Sequence, residues 1–153
     1  MHVTEIPASA PEREIISSRV FKHPKTKVFE AWRNPKYLKI WWGPKGFTNT
    51  FHVHQFEVGG HWKLTMHGPD QGHYENEAVF KLILPPDLIY WTRLTQPYFD
   101  VVATFETVGK DETKLTFRMV FPTEKDKSKV IKFVPDANEE NFDRLEAVLN
   151  DMP

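Results

Sequence analysis

Apolar residues recur along this chain at two spacings, and the change from one to the other marks out its elements. Residues 1–12, with Pro7, Pro11 and small side chains, read as a loose lead-in. Residues 14–21 carry β-branched Ile15, Ile16 and Val20 and predict a first strand. Pro24 suits the first turn of a helix, where its missing N–H costs nothing, and the stretch to Arg33 sets Val28, Ala31 and Trp32 on one face. Residues 34–47 hold two prolines, two glycines and the pair Trp41-Trp42, which predicts a short helical turn and then an ordered loop at one mouth of the domain.

Beyond that loop the apolar period falls to two. Residues 51–58, 61–68, 73–84, 88–95, 99–108 and 113–121 read as strands, and links as short as 59–60 and 85–87 force antiparallel neighbours, giving a six-strand meander. Side chains two apart share a side of a sheet. By that parity Trp62, Leu64 and Met66 face the same way as Tyr74, Asn76, Ala78, Phe80 and Leu82, then Ile89, Trp91 and Arg93, then Val101, Ala103 and Phe105, then Leu115, Phe117, Met119 and Phe121. His61, Lys63, Thr65, Thr104, Glu106, Thr116 and Arg118 take the other side. A charged helical stretch begins at Thr123, Pro135 interrupts it, and residues 136–150 form a second helix with Asn138, Phe142, Leu145 and Leu149 at helical spacing. Its apolar stripe needs a surface, and the expected one is the apolar sheet face around Trp62, Phe105 and Phe117. The layout is α+β, a curved antiparallel sheet wrapped around a long C-terminal helix with a short helical segment near the N-terminus. All 153 residues fit one domain.

Several spaced motifs narrow this further: Trp41-Trp42-Gly43-Pro44-Lys45-Gly46-Phe47-Thr48-Asn49-Thr50, Gly59-Gly60-His61-Trp62, Met66-His67-Gly68-Pro69-Asp70, then Tyr74, Asn76 and Pro85-Pro86. Over about residues 14–150 the chain resembles the family named for the C-terminal domain of the heat-shock-protein-90 ATPase activators, within the START-like SRPBCC superfamily. The resemblance implies a helix-grip fold. It also implies a choice among functions that the fold alone does not make: a carrier of a hydrophobic ligand, a polyketide cyclase or aromatase, or a module that assists a chaperone.

Composition trims the choices. Net charge is −1 with no dense Lys/Arg run, so the footprint of a nucleic-acid binder is absent. Without cysteine there is no disulfide, thiolate metal site or thiol nucleophile, and a reducing cytoplasm suits the chain. No export signal or membrane span is predicted. The aromatic share of 14% calls for a very large core or a lined pocket. The expected lining is Trp42, Trp62, Met66, Phe80, Trp91, Phe105, Phe117, Met119, Phe142 and Leu145, with Tyr74, Asn76 and Arg93 as inward polar groups able to fix the polar end of a ligand. Arg93 suits an anionic or phenolate group, or else an ion pair with Glu139, Glu140 or Glu146 of the closing helix.

His52 and His54, with His61, His67 and His73 close by, have spacings that can gather imidazoles around a metal. No inward Asp or Glu stands beside them, however, and no metal or other cofactor is expected. No nucleophile elbow or phosphate-binding glycine motif occurs. The reading is therefore a binder of a small hydrophobic or aromatic molecule, able to form a homodimer, with a cyclase using the same pocket as the alternative enzyme.

Overall fold

The computed structural model describes residues 5–153, so the first four residues of the expected lead-in lie outside it. Seven strands form one antiparallel sheet: β1 (Glu14–Phe21), β2 (Thr48–His54), β3 (His61–His67), β4 (His73–Leu84), β5 (Leu88–Arg93), β6 (Asp100–Gly109) and β7 (Glu112–Val120). Their order is β1-β7-β6-β5-β4-β3-β2, so the meander runs through consecutive strands and the first strand pairs with the last. The helices are α1 (Lys25–Arg33), α2 (Pro35–Trp41), α3 (Glu124–Val130) and α4 (Val134–Asp151).

Local chemistry sets these boundaries. Asn34 accepts from the backbone of Lys36 and caps α2, and Thr123 does the same for α3 through Asp126. Pro135, read as an interruption, lies in the first turn of α4, the one part of a helix that does not need its N–H. Residues 7–10 of the lead-in are better held than their composition suggests. Arg118 donates to the carbonyls of Pro7 and Ala8, and the Ala10 side chain is buried.

Bulges bend the sheet and change which residues face inward. Between Phe51 and Val53 the extra residue is His52. His52 bonds Thr65 on the outer side, whereas the His54 ring packs with Phe51, Phe56, Trp62 and Phe80. The two histidines, which strict alternation would set on one side, therefore take opposite sides. A second bulge, between Phe80 and Leu82, breaks the run Ala78, Phe80, Leu82: Ile83, opposite Ile89, packs against the core instead.

The packing of α4 also departs from expectation. Phe142, Leu145 and Leu149 are all buried, the two leucines completely, but the elements against them are β1, α1 and α2, and Phe142 meets Phe21 edge-on at 6.1 Å. Phe105 and Phe117 pack instead on Trp32 of α1, with ring centroids 5.9 and 6.0 Å away. Alpha-1 thus stands between the C-terminal half of α4 and the middle of the sheet.

Candidate functional site

Trp32 closes one side of the interior. Its ring also meets Trp41 at 4.8 Å, and Trp41 is fully buried with its indole N–H donating to Ala31 O at 3.0 Å. Phe29, Phe56 and Phe80 extend this cluster, leaving it solid. Of the pocket residues expected from sequence, Phe80, Phe105, Phe142 and Leu145 belong to this packed part.

The other side is hollow. A cavity of about 170 Å³ lies between β3–β7 and the N-terminal half of α4. Its apolar wall is Trp42, Trp62, Leu64, Met66, Ala78, Trp91, Phe99, Val101, Phe117 and Met119. Gly43 and Pro44 close it from the α2–β2 loop, and Ala137, Asn138 and Asn141 roof it from α4. The Trp pair divides its labour: Trp41 anchors the loop, while Trp42 reaches the cavity and meets Trp62 at 4.9 Å and Trp91 at 6.0 Å.

That loop is fixed from α4. Arg144 donates to five backbone carbonyls, those of Ile40, Trp42, Gly43, Pro44 and Phe47, at 2.7–3.1 Å. Gly43 has φ +96°, a conformation that strains any side chain, and a Cβ there would also push the Met66 methyl, 2.9 Å away, out of its place in the lining. Nothing in the local sequence marks Arg144 for this task, because its acceptors lie about a hundred residues earlier.

The polar end belongs to Arg93 and Asn76. Asn76, 7% exposed, accepts from Arg93 Nη1 and donates to Tyr74 O at 3.1 Å. Arg93 Nε and Nη2 donate to Thr95 O and Gln96 O at 3.0 and 3.1 Å, and the guanidinium lies over the Phe99 ring at 5.4 Å. Burial pulls its pKa down to about 10, which leaves it charged at neutral pH. The expected ion pair with α4 does not form: Glu139 and Glu146 bind Arg19, and Glu140 accepts from the backbone of Lys45. Arg93, Asn76 and Met66 also border a shallower groove with Tyr74 and Phe47, which puts the guanidinium at the cavity's edge. Tyr74 lies outside the cavity itself, 45% exposed, with its hydroxyl donating to Asp70 at 2.9 Å.

Two lining residues carry buried polar atoms with no partner among the described residues, Trp62 Nε1 and Asn141 Oδ1. Asn138 instead donates to Ser17 Oγ at 3.1 Å. Asn138 and Asn141, three residues apart, interrupt the apolar stripe of α4 above the cavity, and that interruption was the available sequence signal for this roof. The histidines do not assemble a metal centre: among the described residues no three His, Asp or Glu side chains form a group that could hold an ion. His67 and His73 pair only with each other at 2.7 Å and with Thr50, and His61 pairs with Glu77 at 2.9 Å. Among the described residues no helix is long and apolar enough to cross a membrane.

Comparison with known proteins agrees with this architecture. The family model described as Activator of Hsp90 ATPase homolog 1-like protein matches residues 22–150. No curated protein matches the chain significantly. Among solved structures, a protein from Nitrosomonas europaea superposes with TM-score 0.85 at 17% identity, covering 95% of this chain and 99% of that one. One from Arthrobacter aurescens gives TM-score 0.85 at 22% identity, covering 99% and 94%. One from Staphylococcus epidermidis gives 0.81 at 24%, covering 95% and 94%. At these identities the likeness concerns the fold.

Proposed function

The chain belongs to the Activator of Hsp90 ATPase homolog 1-like family, and from that premise we propose that it binds a small hydrophobic or aromatic molecule in the cavity between its sheet and α4. The observation that carries this reading is the hollow itself. Protein interiors are close-packed with few voids larger than a water molecule, yet about 170 Å³ stays open beside a cluster of rings that packs solidly. The size bounds the ligand. An engineered apolar cavity of ~150 Å³ holds benzene, whereas pockets for drug-sized ligands run to roughly 300–1,000 Å³. A single ring fits the cavity itself, and anything longer has to run out past Arg93 into the shallower groove. The inward side chains of the lining add no acid–base pair to argue for catalysis, since Glu77 lies between inward Asn76 and Ala78 and bonds His61 on the outer side of the sheet.

Phenol titration followed by intrinsic fluorescence tests the reading, because Trp42, Trp62 and Trp91 all line the cavity. The emission should change saturably in the native chain and stay flat in Ala137→Leu, whose larger side chain takes up the space. Saturable change of equal affinity in both proteins would place the binding elsewhere, and no change in either would remove the reading.

A further inference from the structure

We propose that the ligand is a small aromatic acid, one ring bearing a carboxylate that docks on Arg93 and a second polar substituent that meets Trp62 and Asn141. This rests on the binding reading above and adds the chemical class.

The acid follows from an unbalanced charge. Every protein acceptor of Arg93 is neutral: the Asn76 side-chain oxygen and the carbonyls of Thr95 and Gln96. Among the described residues no carboxylate forms an ion pair with it, and Glu139, Glu146 and Glu140 of α4 are committed to Arg19 and to the backbone of Lys45. A part-buried cation without a counter-charge is costly, and an anionic ligand removes the cost. Geometry fits the same answer. A guanidinium has five N–H donors and three are used, one on each nitrogen, so one remains on each terminal nitrogen, and two such donors are what a carboxylate accepts. Asn76, both of whose amide groups are occupied, is a positioning residue that holds the guanidinium still.

The second substituent follows from the two orphaned polar atoms. A purely apolar ring would leave the Trp62 N–H and the Asn141 oxygen buried without partners, at a cost of about 1–3 kcal/mol each. A hydroxyl both donates and accepts, so it serves either atom or both. The ring itself has Trp91, Phe117 and Met119 to pack on, in a volume that suits one ring.

Calorimetric titration of the full chain with 4-hydroxybenzoate, benzoate and phenol tests each part. The native protein should bind 4-hydroxybenzoate about ten- to hundredfold more tightly than phenol, the worth of a charged hydrogen-bonded contact. Arg93→Gln should erase that gap while phenol still binds. Asn141→Leu should reduce the advantage of 4-hydroxybenzoate over benzoate. Because Arg93 also ties down the turn at 95–96, its variant is checked for cooperative unfolding, and if it does not fold the native panel decides alone. Phenol binding as tightly as 4-hydroxybenzoate would overturn the acid and leave the binding reading intact. Benzoate equal to 4-hydroxybenzoate would overturn the second contact, with water as the partner of Trp62 and Asn141. Failure of all three to bind would remove the binding reading itself.

Discussion

The two halves of α4 cover the same sheet with opposite results. From Phe142 onward the helix presents Phe142, Leu145 and Leu149, and with Trp32 wedged in from α1 the interior beneath is filled. Its N-terminal half presents Ala137, Asn138 and Asn141, too small or too polar to fill the space, and a cavity remains. The sheet supplies large rings to both sides. What distinguishes a core from a pocket here is therefore the roof, where a helix shortens its side chains over one turn.

If the filled side is one packed unit, Trp32→Ala should be the most damaging change, at about 3–5 kcal/mol, with Leu145→Ala costing about 2–5 kcal/mol. Chemical-denaturation midpoints measure both, and unchanged midpoints would break the comparison outright. Arg144→Gln should come next, on the order of 2 kcal/mol for lost charge-assisted bonds. It should also loosen the loop that seats Trp42, read as greater quenching of Trp emission by acrylamide.

Two alanines sharpen the contrast. Ala31→Leu, on the fully buried face of α1, should cost about 1–3 kcal/mol by overpacking. Ala137→Leu, over the cavity, should instead gain about 0.5–2 kcal/mol by filling it. Equal costs would mean that the two sides are packed alike.

The smallest effect concerns neither side. On the outer face, burial alone would raise the Glu14 carboxyl, but the Arg118 guanidinium at 2.8 Å and the Ala10 N–H outweigh it and hold its pKa below the usual value. A carboxyl depressed by folding stabilises above its unfolded pKa of about 4.3, and that contribution is lost as pH falls through the folded value. Glu14→Gln should flatten this acid limb in a pH series of melting temperatures without altering ligand affinity.

The facing of the strand residues was legible in the sequence, because alternation needs only the pleat of a strand. Trp62, Leu64, Trp91, Val101 and Phe117 face inward as their parity required. Parity failed where a residue was inserted: the bulges at His52 and beside Phe80 turned His54 inward and replaced Leu82 by Ile83. Long-range partners were not legible. Arg93 found carbonyls of the turn that follows it rather than an acid on α4, and Arg144 found a loop from the other end of the chain. Neither Trp32 as the wedge nor the filled state of Phe80 and Phe105 can be read from periodicity, which gives the facing of a side chain but not the depth of what lies opposite.

The methionines offer the most direct test of an open, ligand-accepting cavity. Of the four, Met66 and Met119 line it, while Met152 packs on the core outside the lining. With ¹³C-methyl-labelled methionine, added phenol should shift the Met66 and Met119 signals saturably and leave Met152 in place. Unmoved Met66 and Met119 signals, or a shift shared equally by Met152, would contradict the account.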